Sequence, residues 1–409
     1  MPAYDAFLLV SFGGPEGPDE VMPFLENVTR GRGVPPERLA SVAEHYYAVG
    51  GVSPINQQCR DLLAAVRADF SASGLSLPVY WGNRNWRPSL ADTVRAMADD
   101  GVRHAVAFVT SAYSSYSSCR QYLDDIEQAR AEVGPGAPRI DKIRRFFNHP
   151  GFIEPFAAST DAALATLPSG LRDDAHLVFT AHSIPAAMAE ASGPKKGAGE
   201  VGGGYRYVAE LTETARLITE RVGITHPRSL AYQSRSGPPS QPWLEPDVCD
   251  HLGELAKSGT QAVVVIPVGF VSDHMEVRHD LDAEAAQVAD SLGLAFARAA
   301  TPGTDPRFAS MITELVRERL ALPDETPAPD SPAPDSTGPD SPAPDSPAPD
   351  SPGPDSPGPD STVLDNPAAG ALGCLGVPSQ DCPAGCCRYT RPAGRYTPPA
   401  GGPEGASAA

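Results

Sequence analysis

Two doubly wound α/β lobes, followed by an extended spacer and a small cysteine-rich tail, are the fold class that the sequence predicts. Three observations predict it. Short apolar runs alternate with stretches of helical period as far as residue 322, the pattern of parallel strands covered by helices on both faces. The pattern occurs twice, once before about residue 150 and again from about residue 174. Beyond 322 the composition changes to a five-residue repeat of Pro, Asp and Ser that cannot supply a core.

The strands expected in the first lobe are AFLLVS (6–11), LPVYWG (77–82) and HAVAFVTS (104–111). Those of the second are HLVFTA (176–181), SLAYQS (229–234) and AVVVIPVGF (262–270). Each is brief and apolar nearly throughout, as strands buried on both faces are. The segment NHPGFIEPFAASTDAALATL reads as a helical crossing between the lobes. The division is therefore 1–150 for the N-terminal lobe, 151–322 for the C-terminal lobe, 323–366 for the spacer and 367–409 for the tail. In the spacer, Asp-Ser recurs at 330, 335, 340, 345, 350, 355 and 360, with regularly spaced like charges and prolines that favour polyproline II.

The 409 residues carry 51 acidic and 32 basic side chains, a formal net charge of −19, which argues against a broad nucleic-acid-binding surface. About half of that excess is local. Ten carboxylates and no Lys or Arg fall between Asp324 and Asp365, so the two lobes are only mildly acidic. No apolar run reaches the roughly 18 residues of a membrane span, and the start, MPAYDAFLLVSFGG, lacks the basic region and cleavage site of a secretory signal. A cytoplasmic location without integral membrane association is expected. The seven cysteines then read as thiols or metal ligands, with Cys59, Cys119 and Cys249 scattered and Cys374, Cys382, Cys386 and Cys387 gathered near the end.

Ligands of open α/β sheets bind at the carboxyl ends of strands, so the polar residues that follow each strand are the first candidates. His182 ends one strand in TAHSIP; alone, a histidine there is as readily structural as functional. The segment after the last strand, GFVSDHMEVRHDLDAEA, adds His274, Glu276, Asp280 and Glu284. The three carboxylates are spaced by four and share one face of a helix. Such a stripe is either a solvated face or a path for cations or protons, and a histidine nearby favours a proton- or metal-handling pair. The glycines of FGGPEG match neither common phosphate-loop pattern. Arg30 and Arg32 in TRGRGVP are either an ordinary basic loop or bidentate partners for carboxylates.

Seven segments in consistent order carry a resemblance: SFGGPEG, FLENVTRGRGVP, HYYAVGGVSPIN, TSAYSSYSSCRQY, FTAHSIP, QSRSGPPSQPWLEPD and PVGFVSDHMEVRHDLD. Over residues 4 to 320 the chain resembles the ferrochelatases, and within them the actinobacterial coproporphyrin ferrochelatases. The resemblance implies two Rossmann-like, chelatase-like lobes with parallel four-stranded sheets and a porphyrin cleft between them. It implies insertion of Fe²⁺ into coproporphyrin III to give Fe-coproporphyrin III in heme biosynthesis, with hand-over to a downstream coproheme-processing enzyme. His182 matches the family's histidine and Glu276 its acidic partner, which handle iron and pyrrole protons. Ser53 and Tyr122 match positions that contact the iron porphyrin, and Arg30 and Arg32 would meet propionates. Where firmicute relatives carry a tyrosine after the first strand this chain has Phe12, so an axial role would move to Tyr122.

Metalation removes two pyrrole protons while a hydrated ion sheds water. An imidazole with an ordinary pKa of about 6.5 suits the first task and a row of carboxylates the second. Imidazole with carboxylate also holds Fe²⁺ with modest affinity, as an ion to be passed on requires. The tail offers thiolates in the number an iron-sulfur cluster needs. By resemblance to relatives with a 2Fe-2S cluster, the expected ligands are Cys374, Cys382 and Cys387 with Cys119 from the body. Cys386 stands as an alternative third tail ligand, and Cys249 as an alternative to Cys119, which lies one helical turn beyond Ser115, where animal relatives have their cysteine. A zinc site or a free tail uses the same thiols. A flexible chain of about 40 residues spans roughly 35 Å, enough for the tail to reach the body. The alternatives to the coproporphyrin enzyme are a protoporphyrin IX ferrochelatase, a non-catalytic porphyrin or heme carrier, and a sirohydrochlorin chelatase.

Overall fold

The computed structural model describes residues 4–31, 33–193, 204–223, 226–236 and 240–321, together with 371–372, 374–375, 378 and 386–389. Two parallel sheets of four strands organise it. The first has β1 (Ala6–Ser11), β2 (Val79–Asn83), β3 (His104–Val109) and β4 (Arg139–Lys142) in the order β2-β1-β3-β4. The second has β5 (His176–His182), β6 (Arg228–Gln233), β7 (Ala262–Ile266) and β8 (Ala295–Arg298) in the order β6-β5-β7-β8. In each sheet the chain reverses direction beside its first strand, which opens a crevice at the carboxyl ends of β1 and β3 and of β5 and β7. Two of the four edge strands, β4 and β8, with sequences RIDK and AFAR, are four residues each and too short to stand out in the sequence.

The helices fall into layers. Between the sheets lie α3 (Ile55–Ala72), α6 (Pro150–Thr166), α8 (Arg206–Val222) and α11 (Pro306–Leu320), whose apolar faces share one core cluster running from Tyr4 and Phe7 through Phe146 and Phe152 to Leu315. Phe152 meets the edges of Phe146 and Phe156 at ring separations of 5.4 and 5.2 Å. Such pairs add about 0.5–1.5 kcal/mol each beyond burial. The lobes are thus fused through a continuous core. On the outer faces, α4 (Leu90–Asp99) and α5 (Gln121–Val133) cover the first sheet, while α9 (Val248–Lys257) and α10 (Ala286–Ser291) cover the second. A short α7 (Ala186–Glu190) follows β5.

One pair of helices stands apart. Helices α1 (Pro18–Val28) and α2 (Pro36–Tyr47) form a hairpin with a small cluster of their own, Val21, Phe24, Leu25 and Ala43, against which Phe12 and Trp86 pack. Helix α11 departs from the division at residue 150. It follows β8 in the chain but returns to the first lobe, where Ser310 donates to Asp69 at 2.7 Å, Arg319 donates to Tyr4 at 2.7 Å, and Glu318 accepts from Arg144 at 2.9 Å. Its apolar stripe of Phe308, Met311, Ile312, Leu315 and Val316 is wholly buried, and its polar flank is read by N-terminal partners.

Most of the spacer and tail lies outside the described residues. Where the tail is described it touches the body. Ala371 and Leu372 are buried, the Leu372 N–H donates to the Asn148 carbonyl at 2.9 Å, and Asn148 Nδ2 donates back to the Leu372 carbonyl at 3.0 Å.

Candidate active site

His182 is the last residue of β5, and the chain leaving its neighbour β7 must cross the end of that strand. A glycine permits the crossing. The Gly269 N–H donates to the Thr180 carbonyl at 3.0 Å, and a Cβ on Gly269 would sit 2.7 Å from Ala181 Cα. With no Cβ, the segment lies flat on the strand end and carries His274 and Glu276 to His182. Gln58 of α3 accepts from the Asp273 N–H at 2.8 Å and fixes the segment from the other lobe.

The result is a carboxylate between two imidazoles. His182 Nε2 lies 3.6 Å from Glu276 Oε1, and His274 Nε2 lies 3.5 Å from Glu276 Oε2. The far nitrogens are held as well: His182 Nδ1 meets the Ser183 carbonyl, and His274 Nδ1 accepts from the Val277 N–H at 3.4 Å. His274 thus presents Nε2 to Glu276. Burial alone would lower the pKa of His182, but the charge of Glu276, its hydrogen bond, the Ser183 carbonyl and Asp280 together raise it to about 9. Burial would raise Glu276, yet the two imidazoles hold its carboxyl far below the usual carboxylate range. At neutral pH the pair is an imidazolium and a carboxylate.

A π-helical segment, Val277–Ala285, follows, and along it Asp280 lies close enough to feel the charges of both Glu276 and Glu284. Glu276 faces His182, whereas Asp280 and Glu284 face His279, whose Nδ1 lies 3.3 Å from Asp280 Oδ1 and 3.7 Å from Glu284 Oε2. Among the described residues these three form the one group of His, Cys, Asp or Glu whose ligand atoms all lie within 4.8 Å of one another. Asp280 accepts from Ser234, a residue held at φ 63° in the left-handed region. Burial and then the charges of Glu276 and Glu284 push Asp280 up to about 6 against that hydrogen bond and His279. His45 at the end of α2 stacks on His279 with ring centres 3.7 Å apart.

The opposite wall comes from the N-terminal lobe. Phe12, Gly13, Phe24, Tyr46, Ser53 and Ile55 face His274, Met275 and Glu276 around a cavity of about 30 Å³. Ser53, on this wall, is buried with its N–H donating to the Pro15 carbonyl at 2.8 Å. Tyr46 was not foreseen; burial and the charges of Glu276 and Asp280 push its phenol well up. Tyr122 is not on this wall surface. Its ring is buried among Val10, Leu90 and Ile126 of the outer cluster, under the Arg84 guanidinium at 4.5 Å. The same guanidinium lies 5.9 Å from the Phe12 ring, and Asp125 pairs with it. Arg30 is exposed on the turn after α1, and Arg32 lies outside the described residues.

The cysteines do not gather into a ligand set among the described residues. Cys374 donates from both its N–H and its thiol to Glu213 Oε1, at 2.8 and 3.5 Å. Burial and the Glu213 charge raise its thiol pKa, the opposite of what a thiolate ligand needs. Cys387 accepts from the Gly193 N–H, and its sulfur lies 3.7 Å from that of Cys386. Cys119 is buried in the π-turn Tyr116–Arg120, and Cys249 lies partly buried on α9. Of the expected cluster ligands, Cys382 lies outside the described residues, and among the described residues no three cysteines bring their sulfurs together.

The sequence profile of the ferrochelatases matches residues 4–320. The chain belongs to this family. It is 56% identical to the coproporphyrin III ferrochelatase of Streptomyces coelicolor over 323 residues, which cover 77% of this chain and 85% of that one. It is 57% identical to the coproporphyrin III ferrochelatase of Nocardia farcinica over 318 residues, or 78% and 89% of the two chains. The corresponding Mycolicibacterium smegmatis protein is 54% identical, over 78% and 90%. For a ferrochelatase, the ferrous ion is a substrate and the tetrapyrrole its acceptor. The tail lies beyond the family match. Among the described residues no helix is long and apolar enough to cross a membrane.

Proposed function

We propose that the chain inserts Fe²⁺ into coproporphyrin III, releasing two protons and forming Fe-coproporphyrin III. The observation that carries the reading is the Glu276 carboxylate held between His182 and His274 at the ends of two central strands, facing a wall from the other lobe. Ionised Glu276 is the group that meets the ferrous ion. Once the cation compensates that carboxylate, the main influence holding His182 at about 9 is cancelled, burial prevails, and the imidazole loses its proton. The free imidazole then takes pyrrole protons as the metal enters. Asp280, poised near 6, is matched to pass protons on toward Glu284 at neutral pH.

A cavity of about 30 Å³ does not hold a tetrapyrrole, since pockets for small organic ligands run to about 300–1,000 Å³. We propose that opening of the α1–α2 hairpin admits the substrate. Its core is separate from the one that fuses the lobes, so it moves without breaking that core. Arg30, on the turn of this hairpin, and Arg32 meet the propionates, and Ser53 lies against the macrocycle. Axial contact by Tyr122 requires Arg84 to leave its ring. A 2Fe-2S cluster would require Cys374 to leave Glu213, and no catalytic step is assigned to one. Anaerobic iron-insertion assays with coproporphyrin III and protoporphyrin IX side by side test the substrate: faster turnover of the tetracarboxylate is expected, and preference for protoporphyrin would overturn it.

A further inference from the structure

Strand β6 ends against the strand that carries His182. Gln233, its last residue, is the register partner of His182, and its carbonyl accepts from the Ser183 N–H at 2.8 Å. Paired residues of adjacent strands stand on the same face of a sheet, so the Gln233 side chain leaves β6 on the side from which His182 faces Glu276. That side chain is buried, and its Nε2 donates to the Glu276 carbonyl at 3.3 Å. Its Oε1 is buried too and meets no donor among the described residues. Turning the amide over would not repair this, because it would set two acceptors, Oε1 and the Glu276 carbonyl, against each other.

The next residue completes the hold. Ser234 donates to Asp280 and sits at φ 63°, in the left-handed region, where a residue with a Cβ persists only if its surroundings fix it. Two consecutive side chains at the end of β6 thus reach both Glu276 and Asp280. Each contact destabilises the fold locally. The orphaned oxygen of Gln233 forgoes the hydrogen bonds that water gives it in the unfolded chain, and a methionine of the same reach would not. The backbone at Ser234 is strained, and a glycine there would not be. Neither penalty serves packing, since both side chains reach for polar groups of the segment that leaves β7. Penalties of this kind gather where chemistry needs a fixed geometry.

We propose that Gln233 and Ser234 are positioning residues for iron insertion: Gln233 fixes the backbone from which the Glu276 carboxylate reaches His182, and Ser234 fixes Asp280 beyond it. The inference rests on the proposed role of Glu276 in meeting the ferrous ion. Without the Gln233 amide the Glu276 backbone loses its tie to β6, and the carboxylate its alignment with the two imidazoles.

The test uses the full-length chain with Gln233→Met and Ser234→Gly, reading urea unfolding, steady-state iron insertion and amide hydrogen exchange by mass spectrometry. For Gln233→Met the urea midpoint should equal or exceed the parental one, because a buried unsatisfied acceptor is removed. The kcat/KM for Fe²⁺ should nevertheless fall about tenfold with KM for coproporphyrin III unchanged, and the peptide spanning residues 273–280 should exchange faster. In the Glu276→Ala background the same substitution should change the residual rate little, because no carboxylate remains to be placed. Ser234→Gly, which relieves the strained backbone, should lower kcat without lowering the midpoint. A lowered midpoint with parental kcat/KM, a tenfold loss that persists in the Glu276→Ala background, or unchanged exchange in residues 273–280 would overturn the inference. If Gln233→Met does not fold, Ser234→Gly carries the same rate and exchange readouts. A parent chain that inserts no iron would refute the proposed function instead, and the exchange measurement would still judge the hold on the segment.

Discussion

His182 and Glu276, 94 positions apart in the chain, face one another at 3.6 Å because Gly269 lets the segment that leaves β7 cross the end of the strand that finishes in the histidine. The pair's chemistry follows from that crossing. It sets the protonation states, and the protonation states set what each group does when iron and porphyrin arrive.

The titration of His182 is the first consequence. Its Cε1 proton should titrate near pH 9 in the parent, and in Glu276→Gln near 6.5 or lower, the range of an unassisted imidazole of about 6.5. The sign carries over to stability. A histidine whose folded pKa is raised stabilises the fold fully below its unfolded value, about 6.5, and loses that contribution as pH rises through about 9. Urea unfolding between pH 6.5 and 9 should therefore weaken more steeply for the parent than for Glu276→Gln; parallel profiles would contradict the pairing.

The proposed proton route through Asp280 predicts an acid limb in the rate. With its pKa raised to about 6, it becomes able to accept protons only as pH rises through that value, so kcat should climb across pH 5 to 7. Asp280→Asn should flatten this limb and slow insertion by about 100-fold or more, the range of lost general acid–base catalysis. A limb that survives the substitution would assign the proton route to another group.

Gly269→Ala tests the crossing itself. The added methyl meets Ala181 at 2.7 Å, an overpacking that costs about 1–3 kcal/mol of stability. Because relief of the clash lifts the segment that carries Glu276, iron insertion should fall more than tenfold even where the variant remains folded by circular dichroism. A variant with parental turnover would show that the close approach does not position the pair.

The α1–α2 hairpin is held down at its end by the His45–His279 stack. Removing the stack with His45→Ala should speed coproporphyrin association several-fold in stopped-flow fluorescence quenching. An unchanged association rate would place the opening elsewhere.

Much of this arrangement is legible in the sequence, and the remainder is hidden for physical reasons. Six strands announce themselves by short apolar runs, unbroken in the central strands, which are buried on both faces. Strands β4 and β8 sit at sheet edges and carry charged residues, so nothing in RIDK or AFAR distinguishes them from loop. His182 and Glu276 are readable from their places after strands. The partnership of His279 with Asp280 and Glu284 is local and was within reach, since all three lie in the segment already singled out. The stacking of His45 on His279, the burial of Tyr122 beneath Arg84 and the return of α11 to the first lobe all join distant parts of the chain. No periodicity encodes them. A spacing of four reads as an α-helical face, whereas the segment after Glu276 winds as a π-helix, which no residue pattern announces.

Single-turnover iron insertion under anaerobic conditions, with the parent and His182→Ala each saturated with coproporphyrin III, confronts the whole account. The parent should convert the bound free-base spectrum to that of the iron porphyrin, whereas the alanine variant should keep its porphyrin bound and unmetalated when Fe²⁺ is added. Metalation by His182→Ala at the parental rate would contradict the account.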